Sequence, residues 1–501
     1  MISFAEPGPT LVWLRDDLRL DDNPALAAAC RRGAPVVLLF VHDEQSPGIR
    51  PLGGAARWWL HQSLADLGKR LAALGQTLIL RQGPAEKIVP EVARTTSAAA
   101  VYWNRRYGAA GELDERVAAA LPKTGLVAGA FEANLLFPPA AIRTMTGGAF
   151  RVFSAFWRAF EQAGEPRRPL PAPANIPAPL VTIRSDSLAS LKLIPQGQDW
   201  TAGIGDAWQP GEPAASDALA AFVARIDGYA AGRDRPAADA TSRLSPHLRF
   251  GEISPNRVWH AIAATPAGEA RDKVLSELGW REFAWHLLDD RPDLADANLK
   301  PAFDSFPWAE TYADDVWAWR RGKTGYPIVD AGMRQLWATG WMHNRARMIA
   351  ASFLVKHLLA DWRIGEEWFW DTLVDADPAS NPANWQWVAG SGADAQPFFR
   401  IFNPVLQGEK FDPDGAYVRR WVPELAGLPN RFIHKPWMAP DDALAAAGVT
   451  LGGTYPLPII DHAEARQRAL DAFASLRRRE AARQLAQLGG SEPTLEANRR
   501  R

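Results

Sequence analysis

Gly340-Trp341-Met342-His343-Asn344-Arg345-Ala346-Arg347-Met348 and Asp375-Ala376-Asp377-Pro378-Ala379-Ser380-Asn381-Pro382-Ala383-Asn384-Trp385-Gln386-Trp387 are the stretches on which the reading of this chain turns. Around them lie Asp361-Trp362-Arg363, Phe399-Arg400-Ile401-Phe402-Asn403-Pro404 and Gln407-Gly408-Glu409-Lys410-Phe411. Indoles, carboxylates, amides and guanidinium groups interleave here without a clean solvent face or core face. A plain core helix does not carry so many polar groups among tryptophans. The mixture suits a buried polar cofactor with a large aromatic ring, set beside a nucleic-acid surface.

The rest of the chain bounds that reading. At 501 residues it is long enough for two or three domains, each with its own core. Hydrophobic content of 47% and charged content of 23% belong to the globular class. The 22 Trp beside only 7 Tyr exceed what packing alone requires, so some indoles are expected to stack on ligands, wall a pocket or relay electrons. With a net charge of −1 and a pI near 6.8, no global field draws in nucleic acid; contact with DNA has to come from a local Arg/Lys patch. The single cysteine, Cys30, excludes an internal disulfide and a cysteine-ligated metal centre, and no metal site is expected. The first residues, Met1 to Pro7, lack a basic region followed by an apolar run, and no stretch is apolar for long enough to span a bilayer. A cytoplasmic protein is expected.

Leu11–Leu14, Pro35–Val41, Thr77–Leu80 and Ala99–Trp103 are short apolar runs that read as buried strands. An alanine-rich helix over 25–32 separates the first two. A second helix over 57–74 carries an inward stripe of Trp58, Leu60, Leu64, Leu67, Leu71 and Leu74. The alternation predicts an α/β domain over 1–135, built on a doubly wound parallel sheet. Ligands of such sheets sit at the C-terminal strand ends, where Arg15, Asp16, Asn104 and Arg105 fall; these either face a ligand or make salt bridges and caps. Six prolines between Gly164 and Leu180 mark an extended inter-domain connector within 136–215. Beyond residue 215 helical patterns dominate, at 217–230, 256–264, 272–288, 328–338, 344–359, 365–374 and 461–488. An all-α C-terminal domain over 216–490 and a frayed tail over 491–501 follow.

Three clusters in this second half carry chemistry. Thr241-Ser242-Arg243-Leu244-Ser245 precedes a helix start, where free N–H groups and hydroxyls either cradle a phosphate or simply cap the helix. Tyr229, Arg233 and Arg235 lie just upstream. Glu277, Trp280 and Arg281 share one helix face at i, i+3 and i+4, either as a surface ion pair beside a packed ring or as a base-recognition face. Arg347 and Asp375 are expected to pair and hold a buried site in shape, while the uncharged amide of Asn381 faces a ring nitrogen.

Together these stretches resemble the photolyase/cryptochrome family over nearly the whole chain. The resemblance is carried by Val12-Trp13-Leu14-Arg15-Asp16-Asp17-Leu18-Arg19-Leu20-Asp21-Asp22-Asn23, by Thr241 to Ser245, by Gly322-Lys323-Thr324-Gly325-Tyr326-Pro327-Ile328-Val329-Asp330, by Trp341 to Arg345 and by Trp385 to Trp387. It implies an N-terminal α/β antenna domain and a helical domain holding FAD, active as FADH−. By the same resemblance Tyr229 and Thr241, Ser242, Arg243, Leu244 and Ser245 would bind the diphosphate and ribitol. Asn344, Arg347, Asp375, Ala376, Asp377 and Asn381 would line the flavin ring, with Asn381 near N5. Trp385, Trp362 and Trp308 match a relay from the flavin to the surface, the last through a one-residue insertion before Trp319.

The branch implied is the cyclobutane pyrimidine dimer photolyases, most like those of class I. Glu277, Trp280, Asn344, Arg345, Met348 and Trp387 match their substrate pocket, and Asn344 stands where (6-4) photolyases carry a second histidine. Trp280 and Trp387 would wedge around the flipped bases. Glu277 and Asn344 would bond their polar edges, Glu277 also sharing or donating a proton to the dimer radical anion. Arg233, Arg281, Arg345 and Gln407 would hold phosphates. The implied partner is DNA containing pyrimidine dimers, met by a monomer. A blue-light photoreceptor signalling to a protein partner is the competing function. The antenna is expected to be folate-type or absent, because Gly111, followed by Glu112, stands where folate-using relatives carry a contacting Glu.

Overall fold

Strand β1 (Thr10–Leu14) is buried along its whole length, and so is β2 (Val36–His42). Continuous apolar runs of this kind belong in a parallel sheet covered on both faces. Between them Asn23 caps helix α1 (Pro24–Arg31) by accepting from the Leu26 N–H, with Pro24 in the first turn. After α2 (Gly54–Ala73) come β3 (Leu78–Gln82), α3 (Ala85–Thr95), β4 (Ala100–Asn104), α4 (Ala109–Ala120) and β5 (Val127–Phe131). All neighbouring strands are parallel, in the order β3-β2-β1-β4-β5. This computed structural model describes residues 8–122, 124–179, 182–195, 200–310, 313–394 and 399–489, with side chains to 482; the tail expected at 491–501 lies outside the described residues.

Strand alternation divides the core. Val12, Leu14, Val36 and Leu38 meet Trp58, Trp59, Leu64, Leu67 and Leu71 of α2 on one face. Leu11, Trp13, Val37 and Leu39 meet Ile88 and Val92 of α3 and Leu113 and Val117 of α4 on the other. The doubly wound sheet is therefore as expected, with two differences. Leu74 is exposed, because it is the C-cap residue beyond the last full turn of α2. Strand β5, Val-Ala-Gly-Ala-Phe, was not anticipated: small residues give it no apolar run, and Gly129 is needed where Tyr102 of β4 lies over it.

The remainder is mostly helical. The described part of 164–180 carries no helix or strand, but upstream of it runs α5 (Phe153–Gln162). The helices that build the site are α6 (Ser245–Arg249), α7 (Glu269–Asp290), α8 (Asn344–Ser352), α9 (Trp362–Thr372), α10 (Ser380–Ala389) and α11 (Pro404–Phe411). Helix α8 passes into a π-helical turn, Phe353–His357, and His462–Gly489 forms the last helix, α12. Gly365 of α9 lies against the Trp385 ring of α10, so close that a β-carbon there would overlap the indole. No helix among the described residues is long and apolar enough to cross a membrane.

Candidate functional site: a bent cavity with a ring-lined mouth

Helices α7, α8, α9 and α10 surround a cavity of about 540 Å3. Beside it a second of about 250 Å3 is lined by Tyr229, Ser242, Leu244 and Ser245. Both are walled by Ser245, Glu277, Arg281, Arg347, Asp375, Asp377 and Ser380, so they form one bent space.

Local chemistry sets each wall. His343 caps α8: its Nδ1 accepts the Arg345 N–H at 3.1 Å, and burial pushes its pKa down to about 4, which keeps the ring neutral and able to accept. Asn344, Arg345, Arg347 and Met348 then follow in the first turns; the Asn344 amide lies 4.0 Å from the Met348 sulfur. Arg347 donates to Asp375 at 2.8 and 3.1 Å and to the Met342 carbonyl at 2.7 Å, and Ser245 Oγ donates to Asp375 at 2.7 Å. The expected Arg347–Asp375 pair is present. Asp377 accepts from the Ala379 and Ser380 N–H groups, starting α10.

Asn381 has its orientation forced. Its Nδ2 donates to the backbone carbonyl of Glu366 at 3.0 Å and to the Glu366 carboxylate at 2.9 Å. Both partners are acceptors, so the amide oxygen is the group left for a ligand. Arg50, from the loop after β2, grips the same carboxylate at 2.7 and 2.9 Å. Burial raises the Glu366 pKa and the Arg50 pairing opposes it. Glu366 and Arg50 were not read from the sequence, since their contact spans 316 residues.

At the mouth, Trp280 stacks on Phe153 of α5, with ring centroids 3.7 Å apart and an 8° interplanar angle. Trp387, Glu277, Asn344 and Met348 line the same cavity. Arg233 pairs with Glu277, and Arg345 with Asp234 at 2.8 Å. Other expected residues point elsewhere. The Arg281 guanidinium bonds Glu282 at 2.9 Å and the Asn134 carbonyl at 3.0 Å, although the side chain still borders both cavities. Arg243 bonds the Ala207 carbonyl and lies 4.1 Å over Trp208, away from the space where Ser242 and Leu244 sit. Thr241 and, on α11, Gln407 line neither cavity, while Ala376 lines the larger.

Trp385 borders the larger cavity and is buried, Trp362 is fully buried and Trp308 is half-buried against Phe306. Trp385 also meets Trp319 edge-on, centroids 6.2 Å apart.

A third cavity, about 500 Å3, opens at the C-terminal strand ends and extends to α7 and α9. Arg15 and Asp16 border it, as do Arg106, Tyr107, Trp285 and Trp370; neither Gly111 nor Glu112 does. Arg15 is at once a salt-bridge residue, 2.7 Å from Asp114, and Asn104 is a cap and bridge, bonding Asp17, Asn23 and the Ala25 N–H. Arg105 pairs with Glu132. No group of three or more His, Cys, Asp or Glu among the described residues is placed to hold a metal.

The bent space fits FAD. It offers hydroxyls of Ser242, Ser245 and Ser380, the guanidinium group of Arg347 for anionic oxygens, and a fixed amide carbonyl for a ring N–H.

Comparison with known proteins agrees. Residues 10–175 match the DNA photolyase family model, and residues 274–475 match that of the FAD binding domain of DNA photolyase. The deoxyribodipyrimidine photo-lyase of Agrobacterium fabrum is 53% identical over 94% of this chain and 98% of its own. Cryptochrome-1 of Arabidopsis thaliana is 39% identical over 97% of this chain and 73% of its own. A crystal structure described as a bacterial class III photolyase from Agrobacterium tumefaciens superimposes with a TM-score of 0.91 at 51% identity, covering 95% of this chain and 99% of that one. Its description names class III, where the family resemblance of the sequence implied class I. The chain belongs to the photolyase/cryptochrome family and carries that family's FAD-binding domain.

Proposed function

We propose that this protein repairs cyclobutane pyrimidine dimers in DNA, driven by light. The observation that carries the reading is the sharing of one cavity: Trp280, Trp387, Glu277, Asn344 and Met348 line the same space as Arg347, Asp375 and Asn381. A dimer in a duplex stacks and pairs poorly, so extruding it costs less than extruding normal bases. The two indoles offer an apolar slot for the splayed pair, and Glu277 and Asn344 offer an acceptor and an amide for its polar edges. Arg233 and Arg345 stand beside them for the flanking phosphates, which makes binding salt-dependent. When bound, reduced FAD supplies one photoexcited electron to the dimer and takes it back. The chain's residues hold the dimer against the flavin, exclude water from it and keep the Asn381 carbonyl toward the ring edge. The third cavity, with its indoles and mixed charges, is proposed either as the seat of a folate-type antenna or as an antenna site that takes none. The Trp385, Trp362 and Trp308 series is proposed to return oxidised flavin to its working state.

The test uses protein reduced in the dark, mixed with oligothymidine carrying cyclobutane dimers and lit with blue light. Recovery of thymine absorbance in light and none in the dark is expected, and Trp280→Ala and Trp387→Ala should each abolish it while FAD stays bound. No recovery by fully reduced wild type would refute the reading and bring forward the (6-4) lesion and the photoreceptor role.

A further inference from the structure

Five charged side chains alternate in sign along the cavity mouth. Lys273 lies 3.9 Å from Glu277, Glu277 pairs with Arg233, Arg233 lies 3.9 Å from Asp234, and Asp234 pairs with Arg345 at 2.8 Å. The arginines are recessed, with side chains 16% and 18% exposed, whereas Asp234 is 44% exposed. Each guanidinium also lies over a ring, Arg233 over Tyr229 at 5.5 Å and Arg345 over Phe411 at 4.2 Å. Arg233 and Arg345 line the cavity; Asp234 does not.

We infer that Asp234 is an internal counter-anion that stands in for a DNA phosphate on Arg345 and, with Glu277 on Arg233, is exchanged for phosphate as a lesion enters and restored as the product leaves. The inference rests on the repair reading and adds to it a specificity residue. A duplex backbone lying across the surface does not reach recessed guanidinium groups; a nucleotide pair drawn into the cavity brings its phosphates to them. Swapping carboxylate for phosphate trades one anion for another, so neither capture nor release leaves a recessed cation unpaired. The same exchange frees Glu277 from Arg233 at the moment the dimer arrives beside it. Without Asp234, Arg345 would wait unpaired, and phosphate would be held harder and released more slowly.

The variant Asp234→Asn removes the charge and keeps the shape. On single-stranded DNA, one further phosphate neutralised without competition is worth a factor of about five in affinity near 0.1 M salt, and steepens the slope of log affinity against log salt by about 0.7. The expected result is that increase on dimer-containing oligothymidine, with a much smaller change on the undamaged oligonucleotide. Single-turnover repair stays at the wild-type yield, while turnover under continuous light slows as release becomes limiting. In an Arg345→Gln background the same substitution should have no effect on lesion affinity. Asp234→Ser should reproduce the result if the Asn variant folds poorly. Lesion affinity and salt slope at or below wild type, with FAD absorbance and melting intact, would overturn the inference. So would an undiminished effect in the Arg345→Gln background. Failure of the wild type itself to bind or repair dimers would instead strike the repair reading, and it is seen before any variant is made.

Discussion

Replacing Asp375 by Asn deletes one charge from the Arg347–Asp375 pair in the wall of the larger cavity, with almost no change in volume. Arg347 reaches both carboxylate oxygens, at 2.8 and 3.1 Å, and Ser245 Oγ adds a third bond at 2.7 Å. The Asp375 side chain is 4% exposed and that of Arg347 25%. Two charges about 4 Å apart attract by about 4 kcal/mol at an effective dielectric of 20. Breaking a buried pair by removing one partner costs about 3–5 kcal/mol. Arg347 keeps its 2.7 Å bond to the Met342 carbonyl and some water, so about 2–3 kcal/mol is expected. In a domain of this size that lowers Tm by roughly 4–12 °C. The assay is thermal unfolding of flavin-free protein followed by circular dichroism, with Ser245→Ala alongside; that variant loses one hydroxyl bond and should cost about 1 kcal/mol. FAD retained through gel filtration should fall more for Asp375→Asn than for Ser245→Ala. If Asp375→Asn melts with the wild type, or no lower than Ser245→Ala, the pair does not hold the site and the argument fails.

Three further outcomes are expected. Trp385→Phe should slow photoreduction of oxidised FAD, read as flavin bleaching under blue light, yet leave repair by protein already reduced intact; an unchanged bleaching rate removes Trp385 from the relay. Gly365→Ala drives a β-carbon into the Trp385 ring and should cost about 1–3 kcal/mol in urea unfolding, with α9 displaced from α10. Burial pushes the Glu282 pKa from its ordinary 4.5 up to about 7, so the folded protein keeps a proton that the unfolded chain releases. Stability from this group is thus complete below the unfolded pKa and lost as pH rises through 7, about 3 kcal/mol in all. Glu282→Gln does not titrate, so its stability relative to wild type should rise by about 3 kcal/mol between pH 4 and pH 8; a gap independent of pH refutes the shift.

The sheet was legible because its strands are apolar on both faces, and α2 because its stripe keeps helical spacing as far as Leu71. Strand β5 was not, since Val127 to Phe131 holds alanine and glycine where a pattern would need bulk. At the site, residues close in sequence were readable as groups. Glu277, Trp280 and Arg281 share a face by spacing alone, and the Arg347–Asp375 pair follows from two motifs that each carry a charge in an apolar setting. Arg281 and Arg243 share the charge of the other candidate arginines, yet their guanidinium groups settle on the carbonyls of Asn134 and Ala207. Which acceptor a long side chain finds depends on chain folded back from elsewhere, and no local pattern encodes it.

Asn381 makes the same point in the other direction. The sequence supplies an amide near a ring-binding motif, but an amide has a donor end and an acceptor end, and only its surroundings decide which one meets the ligand. Here the decision is made by Glu366, whose carboxylate and backbone carbonyl both demand a donor, and Glu366 is in turn held by Arg50 from the α/β domain. Which end of the Asn381 amide is left toward the cavity is therefore set by the Glu366 backbone carbonyl and by a carboxylate that Arg50 holds in place. A change at Arg50 reaches this amide without touching it: once the Glu366 carboxylate is free to turn away, only the Glu366 backbone carbonyl still demands the Asn381 N–H, and one of the two bonds that set the amide's orientation is gone.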